Sequence, residues 1–236
     1  MCWSATTSFV TLAIGTLLNL ASYALLQRWN SPTALLVWSW QYALLMQIPE
    51  GAVWLQLNHH EDITAMSRLA MVLNVTQPLA LLLGIRFGGL YHEFRYAYVA
   101  LVLYTVVLVT QFDEVWERSA SIAPERDCPH LSLRYWDTSR GIVYVVTSLI
   151  VVSEARPVFW AVVNASLFSV TLLLAAVVYP CGVGSVWCWF VIATGPLLVV
   201  CDRVRARATV PSPSPTVTEV VVTPGSTLVH TRRPRI

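Results

Sequence analysis

Two short stretches carry the residues with the greatest chemical potential in this chain. The run QYALLMQIPEGAVW, residues 41–54, holds Gln47, Pro49 and Glu50 inside an otherwise apolar segment. A second apolar segment holds Asn74, Gln77 and Pro78. Gln47 with Glu50, and Asn74 with Gln77, are pairs three residues apart, which share one face of a helix. Pro49 has no N–H to give the carbonyl of Leu45, and Pro78 none for that of Asn74. Those carbonyls need other partners, such as nearby amides or water. An ionised carboxyl facing lipid costs several kcal/mol on the order of the insertion scales. Glu50 is therefore expected to face protein, at a depth that Asn74 matches on the following helix. Two readings of Gln47, Glu50, Asn74 and Gln77 stand open. One is a polar site that binds or moves a proton, a small ion or a small molecule. The other is interhelical adhesion, where such bonds average about 0.6 kcal/mol.

Other chemistry is sparse. His59, His60, Glu61 and Asp62 form one polar loop, and His130 stands in another. They could converge on a metal, but a solvated loop is the favoured reading, and no apolar segment contains the histidines that an intramembrane zinc hydrolase would need. No serine sits in a nucleophile elbow and no glycine-rich phosphate loop is present. All fixed side-chain cations are arginines, since the chain has no lysine, and a retinal Schiff base is excluded. The expectation is no catalytic residue, no metal, no cofactor and no nucleic-acid partner. Asn74-Val-Thr and Asn164-Ala-Ser match the glycosylation sequon but fall within apolar segments. Asn19 and Asn164 are read as adhesive amides.

The elements that must position these residues follow from composition. Of 236 residues, 56% are hydrophobic and only 12% charged, too little charge to cover a soluble domain. A helix crossing the hydrocarbon needs about 20 mostly apolar residues. Seven segments qualify, at about 5–26, 32–57, 67–86, 96–112, 141–153, 157–179 and 183–201. The fifth is short between Arg140 and Glu154, so Arg140 is expected to snorkel to the interface. The fold class expected is all-α, a bundle of seven transmembrane helices over residues 1–203 with a disordered tail over 204–236. The start MCWSATTSFV lacks a basic n-region and reads as the first span.

Arginine counts set the orientation. Arg28, Arg86, Arg95, Arg156 and the six arginines from Arg203 to Arg235 share one side; Arg68, Arg118, Arg126, Arg134 and Arg140 share the other. The richer side is cytosolic, so the N-terminus is expected outside and the C-terminus inside. Cys2, Cys128 and Cys181 then lie outside, where disulfides persist. Cys128 with Cys181 is one pairing and Cys2 the alternative partner; three free thiols is the third case. Cys188 and Cys201 are read as packing residues.

Five fragments in order carry a resemblance: MCWSA at the start, QIPE at 47–50, QPL at 77–79, CPHL at 128–131 and GSVWCW at 184–189. Together they resemble a family of seven-span membrane proteins of giant DNA viruses and microbial eukaryotes, over about residues 1–201. The segment SLRYWD after the His-Leu pair is a looser fit. The resemblance implies the seven-span architecture and no mechanism. It also implies that Cys2-Trp3, Cys128 to His130 and Trp187-Cys188 gather at the outer face. The function expected is a transporter-, channel- or receptor-like membrane protein with a polar site around Glu50. A structural or host-interaction membrane protein is the alternative.

Overall fold

A run of 24 residues with neither proline nor internal charge forms the first helix, α1 (Ala5–Arg28). Ser4 caps it, its side chain accepting from the amide of Thr7 at 3.2 Å. The computed structural model describes residues 4–90, 95–120, 123–125, 128–132, 138–178 and 191–208. The buried positions of α1 are Ala5, Ser8, Thr11, Gly15, Asn19, Ser22 and Leu26. They recur every three or four residues, so they form one stripe. The stripe is small and polar, while Phe9, Ile14, Leu17 and Leu25 point away from the protein. That is the reverse of a water-soluble helix and the pattern of helices packed in lipid.

The chain continues through α2 (Ala34–Leu44), α3 (Gln47–Asn58), α4 (Thr64–Val75), α5 (Gln77–Phe87), α6 (Arg95–Thr110) and α7 (Phe112–Ser119). Two short strands follow, β1 (Ala123–Glu125) and β2 (Cys128–Ser132), paired antiparallel. Then come α8 (Thr138–Ser153), α9 (Val158–Val178), a 3-10 turn (Val191–Ala193) and α10 (Thr194–Ala208). Residues Met1–Asp202 make one compact unit and Arg203–Ile236 a second. Residues 209–236, most of the expected tail, lie outside the described residues.

Two segments expected as single helices are broken, and a third ends about where expected, in a sharp turn. Residues 32–57 divide at Leu45-Met46. There the amide of Leu45 is shared between the carbonyls of Gln41 and Tyr42, and that of Met46 goes to Ala43 at 3.3 Å, a tightened turn ahead of Pro49. Residues 67–86 divide at Thr76, where α4 and α5 meet at 45° just before Pro78. Residues 96–112 end at Gln111, where the chain turns 70° into α7. The first two breaks each stand beside a proline; the last has none, and its cause lies in the charges of α7 described below.

α1 packs on α2 and α3, α2 on α5, and α5 on α8; α8 carries α6 and α9, while α3 packs on α4 and α4 on α7. The main core buries Trp40, Trp160, Phe168, Leu36, Leu44 and Ile85. Gly84 lets α5 reach α2: a Cβ there would collide with the Ser39 side chain and crowd the Leu35 carbonyl. The Ser39 hydroxyl donates to the Ala80 carbonyl across the same contact at 3.0 Å.

Among the described residues, two helices, Ala5–Arg28 and Val158–Val177, are long and apolar enough to cross a membrane, and up to four spans result if each bent pair counts as one. α8 is a shorter apolar helix. Of the expected seventh span, residues 183–190 lie outside the described residues. Leu17, Val102, Leu103, Val109, Leu173 and Val177 are all more than half exposed. Such a surface suits hydrocarbon and not water.

Candidate functional site

The break before α3 sets Glu50 in that helix's first turn, fully buried. Gln47, also fully buried, donates from Nε2 to Glu50 Oε2 at 3.1 Å. Glu50 Oε1 is buried with no hydrogen-bond partner among the described residues. A carboxylate oxygen left so is costly unless something joins it. One turn to either side on α3, Met46 and Val53 join a small apolar cluster with Ala70 and Met71 of α4 and Val115 of α7. Asn74 follows Met71 by three residues and is buried. The carboxyl and the amide thus border one cluster from adjoining helices.

Gln77 takes a different direction. It opens α5, is buried, and its Oε1 accepts from the Tyr144 hydroxyl of α8 at 2.5 Å. Its Nε2 has no hydrogen-bond partner among the described residues. All four residues singled out in the sequence are therefore interior. Gln47 and Glu50 are bonded to each other, whereas Gln77 is tied to α8.

A set of residues absent from the sequence reading surrounds the α4–α5 break. The Tyr104 hydroxyl donates to the Val75 carbonyl at 2.9 Å, and the Tyr42 hydroxyl lies 2.6 Å from Thr76 Oγ1. With Tyr144 on Gln77, three tyrosines from α2, α6 and α8 meet three consecutive residues, 75 to 77. The rings of Tyr104 and Tyr144 are 6.4 Å apart. A helix broken inside a bundle exposes backbone groups that need such partners. The available signal was position. Aromatic side chains near span ends are explained by the interface, but Tyr42 and Tyr104 stand away from the ends; Tyr144, near the start of its expected span, carried no such signal. Tyr42 also links the two breaks, since it lies three residues before Leu45 and bonds at Thr76.

The remaining polar groups are structural. Asn19 donates to Gln41 Oε1 at 2.9 Å, and Gln41 Nε2 donates to Thr16 at 2.9 Å, joining α1 to α2. Asn164, expected to bond between helices, donates instead to the Trp160 carbonyl of its own helix at 2.8 Å. Arg140, expected to snorkel, is only 3% exposed; its Nε donates to Gln111 at 2.7 Å and its Nη2 meets Glu114 at 2.9 Å. In the 59–62 loop, Asp62 accepts from the Thr64 amide at 2.9 Å, an Asx-turn just ahead of α4. Hydrogen bonds from Thr64, side chain first and then backbone, hold that exposed carboxyl below its ordinary pKa. Cys2 and Cys181, the Cys128 side chain and the His130 side chain lie outside the described residues. Cys201 is a free, half-buried thiol.

The class defined by these features is a helical protein, able to cross a membrane, with buried polar residues gathered at helix breaks. No family model, curated protein or solved structure matches the chain.

Proposed function

We propose that this chain is a seven-span membrane protein, N-terminus outside, whose Glu50 site binds or conducts a proton, a small cation or a small polar molecule in a transporter-, channel- or receptor-like role. One observation carries the reading: Glu50 is fully buried, yet one of its carboxyl oxygens has no partner among the described residues. Its described bond is to Gln47 within the same helix. That bond holds no two helices together, so adhesion does not explain the carboxyl. Adhesion does fit Asn19, Gln41 and Thr16, whose bonds run between helices. The interruption of both neighbouring helices adds support, because broken spans are where membrane transporters place ion and substrate sites. The resemblance to the seven-span family of giant DNA viruses and microbial eukaryotes belongs to this proposal and bears on architecture only.

The test is flux in proteoliposomes under an imposed pH gradient. The unaltered chain is expected to dissipate the gradient or to drive cation movement with it, and Glu50→Gln to reduce the rate at least about tenfold, as the loss of a proton-transfer group does. Equal rates for both chains would leave Glu50 a packing residue.

A further inference from the structure

We propose that α7 is a latched lid over the Glu50 site; this rests on the reading of Glu50 given above. The chain reaches α7 by the 70° turn at Gln111. The sequence of α7, FDEVWERS, is too polar to continue the span. It packs instead against α4. Only Val115 and Ser119 of α7 are buried. Val115 enters the cluster of Met46, Val53, Ala70 and Met71 that flanks Glu50. Val53 lies one turn beyond Glu50, toward the end of α3 that leads into the 59–62 loop. Val115 therefore shares a cluster with Val53, on that side of the carboxyl, and as a lid α7 would cover the carboxyl from there.

Half-buried Trp116 packs against the same cluster, and the rest of what holds α7 is polar and grouped at its edges. Buried Arg140 spans the bend, donating to Gln111 at 2.7 Å before the helix and pairing with Glu114 at 2.9 Å within it. Arg118 also pairs with Glu114. Arg68 of α4 lies over the Trp116 ring at 4.3 Å. The Glu114 side chain is 46% exposed, so water screens its ion pairs and weakens them. Two apolar contacts, of Val115 and half-buried Trp116, and a screened latch make a segment that opens at low cost compared with the core. A helix serving only to close the bundle would bury a wider apolar face. The bend at Gln111 supplies the hinge, and Arg140 is the positioning residue that ties both sides of it.

The experiment places a cysteine at Val53 in the full chain in proteoliposomes. A membrane-impermeant thiol reagent is applied from the side carrying the 59–62 loop, and labelling is read as the excess over the same chain without Val53→Cys. Labelling is expected to be slow. Arg140→Gln or Glu114→Gln is expected to accelerate it about tenfold, the scale of a lost partly buried ion pair, and Arg140→Lys to restore part of the protection. A cysteine at Phe168, in the other core, reports on general loosening and is expected to stay slow in every variant. Unchanged labelling at Val53 in both latch variants overturns the lid, as does equal acceleration at Val53 and Phe168, or rapid labelling of Val53→Cys with the latch intact. Labelling requires no flux, so the lid and the role of Glu50 fail by different measurements.

Discussion

Single residues set how closely these helices approach, and the glycines show it by contrast. At Gly84 an added methyl would meet the Ser39 side chain and the Leu35 carbonyl, and backbone does not step aside. Overpacking of this kind costs about 1–3 kcal/mol. At Gly141, in the first turns of α8, a methyl would meet nothing within 4 Å among the described residues. There, alanine removes only the conformational freedom of glycine and adds up to about 1 kcal/mol of stability. Thermal unfolding in detergent should rank Gly141→Ala at or above the unaltered chain and Gly84→Ala well below it. The reverse order would mean that α2 and α5 do not touch at Ser39. At this scale the sequence revealed which polar residues must be interior, because burial of Glu50 or Asn74 is dictated by the cost of polar groups in hydrocarbon. It did not reveal their partners, since any of several helices could supply one.

At the scale of elements, helix ends are completed by residues from elsewhere in the chain. Glu154, just past α8, accepts with Oε1 from the amides of Tyr96 at 2.9 Å and Ala97 at 3.0 Å. Those amides lie in the first turn of α6, where N–H groups lack partners and the helix dipole favours an anion. The Arg156 amide adds a bond to the Leu90 carbonyl at 2.6 Å. Replacing Glu154 with alanine should cost about 1 kcal/mol, the usual worth of an N-cap, and should raise hydrogen exchange at Tyr96 and Ala97 before other α6 amides. Glu154→Gln keeps an acceptor but no charge and should fall between. Uniform exchange along α6 in all three chains would assign the start of α6 to some other cap. Pro49 and Pro78 each withhold a donor, yet both segments read as single spans, so the breaks beside them were not expected. The sequence ended the fourth span at 112, where the polar FDEVWERS begins, but it did not show the 70° turn or that Arg140 of α8 ties both sides of it.

At the scale of the whole molecule, the open matter is how many times the chain crosses. A break at Leu45-Met46 is compatible with a kinked crossing or with a return to the same side. The seven-span reading requires that α2 and α3 together cross. Gln27, shortly before α2, and His59, just after α3, are both exposed. Cysteines placed singly at these positions should react with impermeant reagent from opposite faces of oriented vesicles. Reaction from one face would turn α2–α3 into a re-entrant pair and reverse every later orientation.

The sequence by itself determined the class of environment and the interior residues. With 56% hydrophobic and 12% charged residues the composition suits a lipid environment, and in lipid a carboxyl or amide is driven inward whatever the fold. These are solvation properties, and they belong to each residue type before any contact forms. Tertiary structure decided what solvation leaves free. It chose Tyr144 for Gln77, put three tyrosines on the break at Thr76, brought Arg140 to Gln111 and Glu114, and placed Val115 in one cluster with Met46 and Val53. Each of those contacts joins residues tens of positions apart, where local periodicity carries no information and only the packing of whole helices fixes which side chains meet.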